Sequence, residues 1–232
     1  MQDVASAGEP LRICLVGATG LVGSSLLRIA VGRDDVRIVA VSRREAALPP
    51  GARMEMRVAP PEQWSSAIAQ AGADVLVSAL GTTRRKVDGD EQAFRAVDHE
   101  LVLDVARAAM EASVDRMIAV SSVGADTGSR NFYLRTKGDT DDALAKMGFR
   151  RLDILRPGLL RGPRAESRPL ERVARIASPF TDLLLRGNAR RYRSIPATTV
   201  ALAMIGLSKE RASGRFVHEH DALIRAARRA GG

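Results

Sequence analysis

The stretch Leu11-Arg12-Ile13-Cys14-Leu15-Val16-Gly17-Ala18-Thr19-Gly20-Leu21-Val22-Gly23 decides the fold of this 232-residue chain. Its first six residues are mostly apolar and predict a buried strand, and the three glycines that follow predict a tight turn. Apolar residues then recur at helical spacing as far as Ala30, which predicts an amphipathic helix. Such a turn brings bare backbone and the positive end of the helix dipole together, so the stretch predicts a site for a pyrophosphate.

The chain continues as an alternation of apolar strands and amphipathic helices. Strands are predicted at 36–42, near 54–58, and at 74–80, 116–121 and 152–155, with helices at about 62–69, 90–110 and 133–144. The apolar positions of the helix over 90–110 recur at helical spacing and are Phe94, Val97, Leu101, Val102, Val105 and Ala109. Alternating strands and helices form an α/β protein with a doubly wound parallel sheet, whose ligands collect at the carboxyl ends of the strands.

The pattern changes after Pro157. Helices are predicted near 170–177, 198–207 and 222–230, together with an arginine-rich loop around 190–193 and a short strand at 214–217. This is too little for a separate domain. We therefore expect a flexible tail over 1–10, a single nucleotide-binding domain over 11–232, and a small helical extension on the substrate side from about 158.

Composition narrows the classes of partner. The net charge is +9, but the arginines are scattered and aromatic residues make up only 3%, which favours an anionic cofactor over nucleic acid. No spacing of His, Cys and acidic residues suggests a metal site, and Cys14 is expected to be a packing residue. No apolar run has the length of a membrane span, and the first residues do not read as a signal peptide, so we expect a cytoplasmic protein without membrane contact.

Two arginines end the second predicted strand. At the position of Arg43 and Arg44, an acidic residue would bind ribose hydroxyls and repel a 2′-phosphate, whereas arginines attract that phosphate. The sequence therefore predicts NADP(H) as the cofactor. Leu80-Gly81-Thr82-Thr83 ends the fourth strand at the same edge, where Gly81 would let the backbone approach the cofactor.

Residues that suit carbonyl chemistry come next along the chain. Tyr133 and Lys137 lie four apart on a predicted helix and so share one face. A phenol can donate a proton to a forming alkoxide, and a neighbouring ammonium favours its ionised form. Ser121 or Ser122, at the end of the fifth strand, could hold the carbonyl oxygen; strand alternation allows only one of them to face the cofactor. Asp141 and Asp142 are expected on an exposed helix surface.

These motifs resemble the short-chain dehydrogenases/reductases in their atypical, extended-like form, which implies the Rossmann fold. The segments 80–84, 121–126, 131–138 and 156–168 more narrowly resemble the Tat-interacting protein family of NADPH-binding oxidoreductases, and the similarity runs from about residue 11 to about 205. The resemblance implies cofactor contacts at Thr19, Gly20, Leu21, Val22, Arg43, Arg44, Leu80, Gly81, Tyr133, Lys137, Leu160 beyond Pro157, and Arg168.

The function predicted is reduction or oxidation of a small carbonyl or alcohol by NADP(H), with Tyr133, Lys137, Ser121 and Ser122 as the catalytic set. Two alternatives stay open. One is a regulatory protein that senses NADPH without turnover, and the other is an epimerase or dehydratase that retains its nicotinamide. The sequence defines neither the substrate nor the choice between monomer and homodimer.

Overall fold

The computed structural model describes residues 9–45, 48–52, 54–82, 88–162 and 185–231. Its strands are β1 (Leu11–Val16), β2 (Val36–Ser42), β3 (Glu55–Val58), β4 (Val75–Ser78), β5 (Arg116–Val120), β6 (Arg151–Leu155), β7 (Leu160–Arg161), β8 (Ile195–Pro196) and β9 (Gly214–His218). Its α-helices are α1 (Leu21–Ile29), α2 (Trp64–Ala71), α3 (Glu91–Arg95), α4 (Leu101–Glu111), α5 (Phe132–Ala145), α6 (Ala197–Ser208) and α7 (His220–Ala230).

Seven strands form one parallel sheet in the order β3-β2-β1-β4-β5-β6-β9. The chain runs outward from β1 in one direction to β3, then returns to β4 and continues the other way. The reversal lies between β1 and β4, and a ligand crevice forms at such a point, beyond the carboxyl ends of the strands. The predicted doubly wound fold is confirmed.

Helices cover both faces of the sheet. One core combines α1, α6 and α7 with residues such as Leu15 and Leu155, and the other combines α2 and α4 with residues such as Val16 and Leu76. Cys14 is fully buried in the second core. Burial raises the pKa of the Cys14 thiol to about 12, so this side chain acts as a packing residue, as its place in the strand predicts.

The last part of the chain contributes more to the fold than its sequence suggests. Strand β9 adds to the sheet beside β6, and α6 is buried along most of its length between α1 and α7. A two-residue parallel pairing of β7 with β8 joins the segment after β6 to the start of α6. The predicted helix at 170–177 and residues 1–8 of the predicted tail lie outside the described residues.

The predicted continuous helix over 90–110 is interrupted. Between α3 and α4 the residues Ala96–Glu100 form a π turn, which adds one residue to a helical turn and rotates the side chains that follow. Asp98 is consequently buried, whereas Val97, an expected apolar contact, is only half-buried. None of the helices in the described ranges is long and apolar enough to span a membrane.

Candidate functional site

The glycine turn between β1 and α1 is shaped by contacts that no side chain could replace. Gly17 has φ of +91°, and a Cβ atom there would lie 2.5 Å from the carbonyl carbon of Ala79, just after β4. A Cβ atom on Gly23 would lie 2.2 Å from the Gly17 carbonyl oxygen. Gly17 therefore permits the tight turn against β4, and Gly23 permits the first turn of α1 to pack on it.

The N-terminus of α1 is open toward the crevice. Gly20 is the N-cap residue and has no side chain that could accept hydrogen bonds from the first turn, and this turn carries no acidic residue. The backbone N–H groups of Leu21 and Val22 thus remain donors at the positive end of the helix dipole. This geometry suits a pyrophosphate.

Arg43 and Arg44 lie just beyond the carboxyl end of β2 and are exposed. The hydroxyl of Ser42 fixes the backbone here, because it donates to the Arg44 carbonyl oxygen at 2.8 Å. Neither arginine forms an ion pair with another residue in the described ranges. Beside them, a cleft of about 520 Å³ extends between the glycine turn, α1 and the segment after β2; its lining includes Thr19, Arg28 and Glu45.

The end of β4 connects the glycine turn to the helix that bears Tyr133 and Lys137. Leu80 follows Ala79, which contacts Gly17, and a Cβ atom on Gly81 would lie 3.4 Å from Asp98 Oδ1 and 3.9 Å from Lys137 Nζ. Gly81 itself is exposed. A ligand that crosses this edge would therefore pass from the α1 N-terminus over Gly81 to α5. Thr83 and Arg84 lie outside the described residues.

Helix α5 begins at Phe132, and its N-cap residue Asn131 accepts a hydrogen bond from the Leu134 N–H at 3.3 Å. Tyr133 is half-buried, and its ring packs against Phe94 of α3 with centroids 5.5 Å apart. Its hydroxyl makes no hydrogen bond to any residue that the structure describes.

Lys137 is buried and paired with Asp98. Its Nζ lies 2.8 Å from Asp98 Oδ1, and the exposed fractions of the two side chains are 6% and 1%. The other carboxylate oxygen, Oδ2, accepts a hydrogen bond from the Thr82 N–H at 2.7 Å. The sequence analysis missed this contact of Asp98 with Lys137, since helical periodicity placed Val97 inward.

The two serines after β5 lie in different environments. The Ser121 hydroxyl is buried and donates to Asp141 Oδ2 at 3.0 Å, whereas Ser122 is half-buried and its hydroxyl lies 3.3 Å from the Val123 carbonyl oxygen. Asp141 also accepts from Arg156 Nε at 2.9 Å. Ser121 is therefore committed to a buried network.

The expectation that Asp141 lies on an exposed helix surface is wrong, although its neighbour Asp142 is exposed. Asp141 is 3% exposed, and Ser121 just after β5 and Arg156 just after β6 both contact it. Burial raises the pKa of the Asp141 carboxyl, and the bonds to Ser121 and Arg156 oppose this rise. The sequence carries no local signal for this network, because its members are far apart in the chain.

The segment after β6 passes the same edge of the sheet. Pro157 is buried and its carbonyl oxygen accepts from the Val123 N–H at 3.0 Å, while Leu160 in β7 packs partly buried against the core. Arg168 lies outside the described residues. Within the described ranges, no group of three or more His, Cys, Asp or Glu side chains could hold a metal ion.

A family model described as NAD(P)H-binding matches residues 17–210, and the chain belongs to this NAD(P)H-binding family. Among curated relatives, the mitochondrial protein fmp52 of Emericella nidulans is 38% identical over 171 residues, which are 71% of this chain and 73% of the relative. The mitochondrial protein FMP52 of Candida albicans is 37% identical over 161 residues, which are 67% and 70% of the two chains.

Solved structures share the fold at low identity. The ADP-L-glycero-D-manno-heptose-6-epimerase of Helicobacter pylori superposes with a TM-score of 0.68 at 15% identity, over 96% of this chain and 83% of its own. The Bordetella bronchiseptica enzyme WbmG, in complex with NAD, gives 0.66 at 18%, over 93% and 74%. At these identities the likeness shows the fold and not the activity.

The comparisons correct one expectation and leave another as a prediction. The cytoplasmic location inferred from the first residues is contradicted, because the curated relatives at 35–38% identity are named as mitochondrial proteins. The NAD(P)H-binding class is confirmed, whereas the narrower resemblance to the Tat-interacting protein family stays a prediction.

Proposed function

We propose that this protein is an NADP(H)-dependent oxidoreductase that interconverts a small carbonyl compound and its alcohol. The observation that carries the proposal is the continuity of one edge of the sheet. Gly17 contacts Ala79, Gly81 follows two residues later, and Lys137 Nζ lies 3.9 Å from the Cβ position of Gly81. A phosphate turn and a Tyr-Lys helix face thus border one crevice.

The residues present fit a dinucleotide. The N–H groups of the first turn of α1 would hold the pyrophosphate, since Gly20 leaves them uncapped. Gly81 is exposed and leaves space at the end of β4, where a side chain would approach Asp98 and Lys137. When bound, the nicotinamide supplies or accepts the hydride.

The chain's own groups would handle the proton and the carbonyl. Tyr133 would donate its phenolic proton to the substrate oxygen in reduction and recover it in oxidation. Lys137, four residues later on the same face, would hold the ribose and favour the ionised phenol. Of the two serines, Ser122 is the better candidate to orient the carbonyl, because the Ser121 hydroxyl already donates to Asp141.

Preference for NADP(H) would come from Arg43 and Arg44. Both are exposed beside the cleft that the glycine turn borders, and neither is neutralised by an ion pair within the described residues. Guanidinium groups bind phosphate through paired hydrogen bonds. Glu45 also lines the cleft, and its carboxylate would oppose a 2′-phosphate placed against it.

The first experiment is a fluorescence titration of the protein with NADPH and NADH. We expect NADPH to bind more tightly, and we expect the double variant Arg43→Ala/Arg44→Ala to lose about tenfold in NADPH affinity with little change for NADH. The matched control is Arg228→Ala/Arg229→Ala, which removes two exposed charges from α7. An equal loss for both cofactors, or the same loss in the control, would contradict the 2′-phosphate role.

Turnover is tested separately with a panel of aldehydes and ketones and NADPH consumption as the readout. Tyr133→Phe should keep NADPH affinity and lose at least 100-fold in kcat. Binding without turnover on any substrate would favour the NADPH-sensing alternative. Nicotinamide that copurifies and is not exchanged would favour the epimerase or dehydratase alternative.

A further inference from the structure

The helix face that carries Tyr133 and Lys137 is matched by a second pair of residues. Phe94 and Asp98 lie four residues apart, in α3 and the π turn that follows it. The Phe94 ring packs on Tyr133, and the Asp98 carboxylate pairs with Lys137. Each side chain of the Tyr-Lys pair therefore has its own partner on the facing helix.

The π turn gives Asp98 this position. Without the extra residue in the turn, the periodicity of the helix would direct Val97 inward. The Asp98 carbonyl oxygen accepts a hydrogen bond from the Thr140 hydroxyl of α5 at 2.9 Å. Helix α5 thus contacts the π turn at two atoms of Asp98: Thr140 contacts its carbonyl oxygen, and Lys137 contacts its carboxylate.

We infer that Asp98 is a positioning residue that holds Lys137 in place on the helix face that also carries Tyr133. This inference rests on the function proposed above for Tyr133 and Lys137. A buried lysine that loses its counter-ion loses its proton more readily or moves toward water. Asp98 also accepts a hydrogen bond from the Thr82 N–H at 2.7 Å. It therefore contacts both the backbone next to Gly81 and the Lys137 ammonium.

Other charged groups around α5 are already engaged. On the facing segments, Arg95 pairs with Asp139 at 2.9 Å, and His99 lies 3.1 Å from the Thr140 hydroxyl. Burial lowers the pKa of His99, which favours its neutral form. From the end of β6, Arg156 pairs with Asp141 at 2.8 Å, and the α4 residues Asp104 and Arg107 pair with each other on the surface.

Asp98 is consequently the carboxylate at contact distance from Lys137 among the residues that the structure describes. Asp141 acts on Lys137 through space, and its Oδ2 atom already accepts hydrogen bonds from Ser121 and Arg156. If Asp98 were removed, no other carboxylate in the described part of the chain would lie at contact distance from Lys137. Its loss should therefore resemble the loss of the Lys137 charge itself.

The chain's two tyrosines allow a test that needs neither cofactor nor substrate. In a Tyr192→Phe background, Tyr133 is the sole tyrosine, and Tyr192 is exposed and distant from Lys137 in the sequence. The full-length protein is produced with 3,5-difluorotyrosine, whose phenol ionises near neutral pH. Fluorine NMR then reports the pH midpoint of ionisation at position 133.

Lys137→Met should move this midpoint to higher pH by about one unit, because the phenolate loses a neighbouring ammonium. Asp98→Asn should also move it upward, by at least half as much. The variant Asp98→Asn/Lys137→Met should match Lys137→Met without further increase, since Asp98 acts through Lys137. The control Asp142→Asn removes an exposed carboxylate from α5 and should leave the midpoint in place or lower it slightly.

Each other outcome overturns the inference. A downward shift for Asp98→Asn in both backgrounds would make Asp98 an independent negative charge, and no shift would make its contact irrelevant to Tyr133. If Asp98→Asn does not fold, the test uses the double variant Asp98→Asn/Lys137→Met, which buries no unpaired charge. A pH midpoint equal to that of the parent would then contradict the positioning role of Asp98. If Lys137→Met does not shift the midpoint, the coupling of Tyr133 to Lys137 in the proposed function and the inference about Asp98 are both contradicted. If Lys137→Met shifts the midpoint and Asp98→Asn does not, the coupling stands and only the inference about Asp98 is contradicted.

Discussion

Two buried carboxylates, Asp153 and Asp98, lie on opposite faces of the sheet and use their ion pairs differently. Asp153 on β6 receives Arg151 Nε at 2.6 Å and Nη2 at 2.9 Å, and His218 Nε2 of β9 lies 2.7 Å away. Among the described residues, Asp98 has one ion-pair partner and one backbone donor, and it borders exposed Gly81.

The pair at β6 is enclosed and fully bonded. The Arg151 guanidinium also donates to the Ala212 carbonyl oxygen at 2.8 Å and lies over the Phe216 ring at 4.4 Å. It therefore joins the edge strand β9 to the sheet. The pair at Asp98 lies beside exposed Gly81 at the crevice and makes fewer bonds to the described residues. Burial alone does not distinguish the two pairs, whereas the number of partners and the access to the crevice do.

The largest effect should follow from breaking the enclosed pair. Asp153→Asn leaves the Arg151 guanidinium buried without its counter-ion, and we expect a loss of about 3–5 kcal/mol in the free energy of unfolding, measured with urea. The NADPH affinity of the folded variant should be unchanged, because β6 and β9 hold this pair away from the glycine turn. If Asp153→Asn kept the stability of the parent and bound NADPH more weakly, the assignment of the Asp153 pair to stability would be contradicted.

A smaller loss of stability should follow at the crevice. Asp98→Asn keeps an acceptor for the Thr82 N–H, and Lys137 can neutralise or move toward the crevice, so we expect about 1–3 kcal/mol by the same urea unfolding. Here NADPH affinity should fall. Asp142→Asn is the control for the loss of one negative charge. If Asp98→Asn destabilised the protein as much as Asp153→Asn and left NADPH affinity intact, both pairs would be structural.

Asp141 should give the stability a measurable pH dependence. Its pKa is raised by burial above the ordinary value of 3.8, so the folded protein holds this proton at pH values where the unfolded chain has released it. The free energy of unfolding should therefore fall as pH rises from about 3.8 through the raised pKa, by at most about 1.4 kcal/mol per pH unit for one proton.

The variant that checks this slope is Asp141→Asn, studied by urea unfolding at a series of pH values. This variant removes the titrating carboxyl, so the free energy of unfolding should depend less on pH between 3.8 and the raised pKa of Asp141. At higher pH the variant should be less stable than the parent, because it loses the ion pair with Arg156. Asp142→Asn should retain the slope of the parent. Equal slopes in the parent and in Asp141→Asn would contradict the assignment.

The smallest effect is expected at an exposed pair. Asp35 contacts Arg33 at 2.7 Å and Lys209 at 2.5 Å, which lower the pKa of its carboxyl, and its side chain is 37% exposed. Solvent screens such a pair, so Asp35→Asn should cost less than about 1 kcal/mol at pH 7.

The sign of the pH effect at Asp35 is opposite to that at Asp141. A lowered pKa gives stability that is present above the unfolded value of 3.8 and is lost as pH falls through the folded pKa. The difference between Asp35→Asn and the parent should thus vanish in strong acid, and 1 M NaCl should reduce it at pH 7. If the stability difference between Asp35→Asn and the parent did not change with pH or salt, it would arise from packing and not from the ion pairs of Asp35.

Much of the fold could be predicted because local patterns encode it. The apolar run at 11–16, the glycines at 17, 20 and 23, and the helical spacing after them produced β1, the turn and α1 with the expected bounds. The four-residue spacing of Tyr133 and Lys137 put both on one side of α5. Backbone geometry and side-chain volume act within a few residues, so such features can be read without a partner segment.

The neighbours of the site could not be predicted in this way. Asp98 faces Lys137 because a π turn shifts the helix by one residue, and the buried Asp141 is contacted by Ser121 and Arg156, which lie just after two strands. Strand β9 is mostly exposed, and its His218 contacts the buried Asp153 of β6. Each of these features needs groups that are distant in the chain.

By itself, the sequence determined the order of strands and helices, the glycine turn at the crevice and the helix face of Tyr133 and Lys137, because these depend on short-range conformational preference and periodicity. The tertiary structure decided which charges face one another: Asp98 with Lys137, Asp141 with Ser121 and Arg156, and Asp153 with Arg151 and His218. The physical reason is that a buried charge is stable only with a partner at contact distance, and packing of the whole chain supplies that partner.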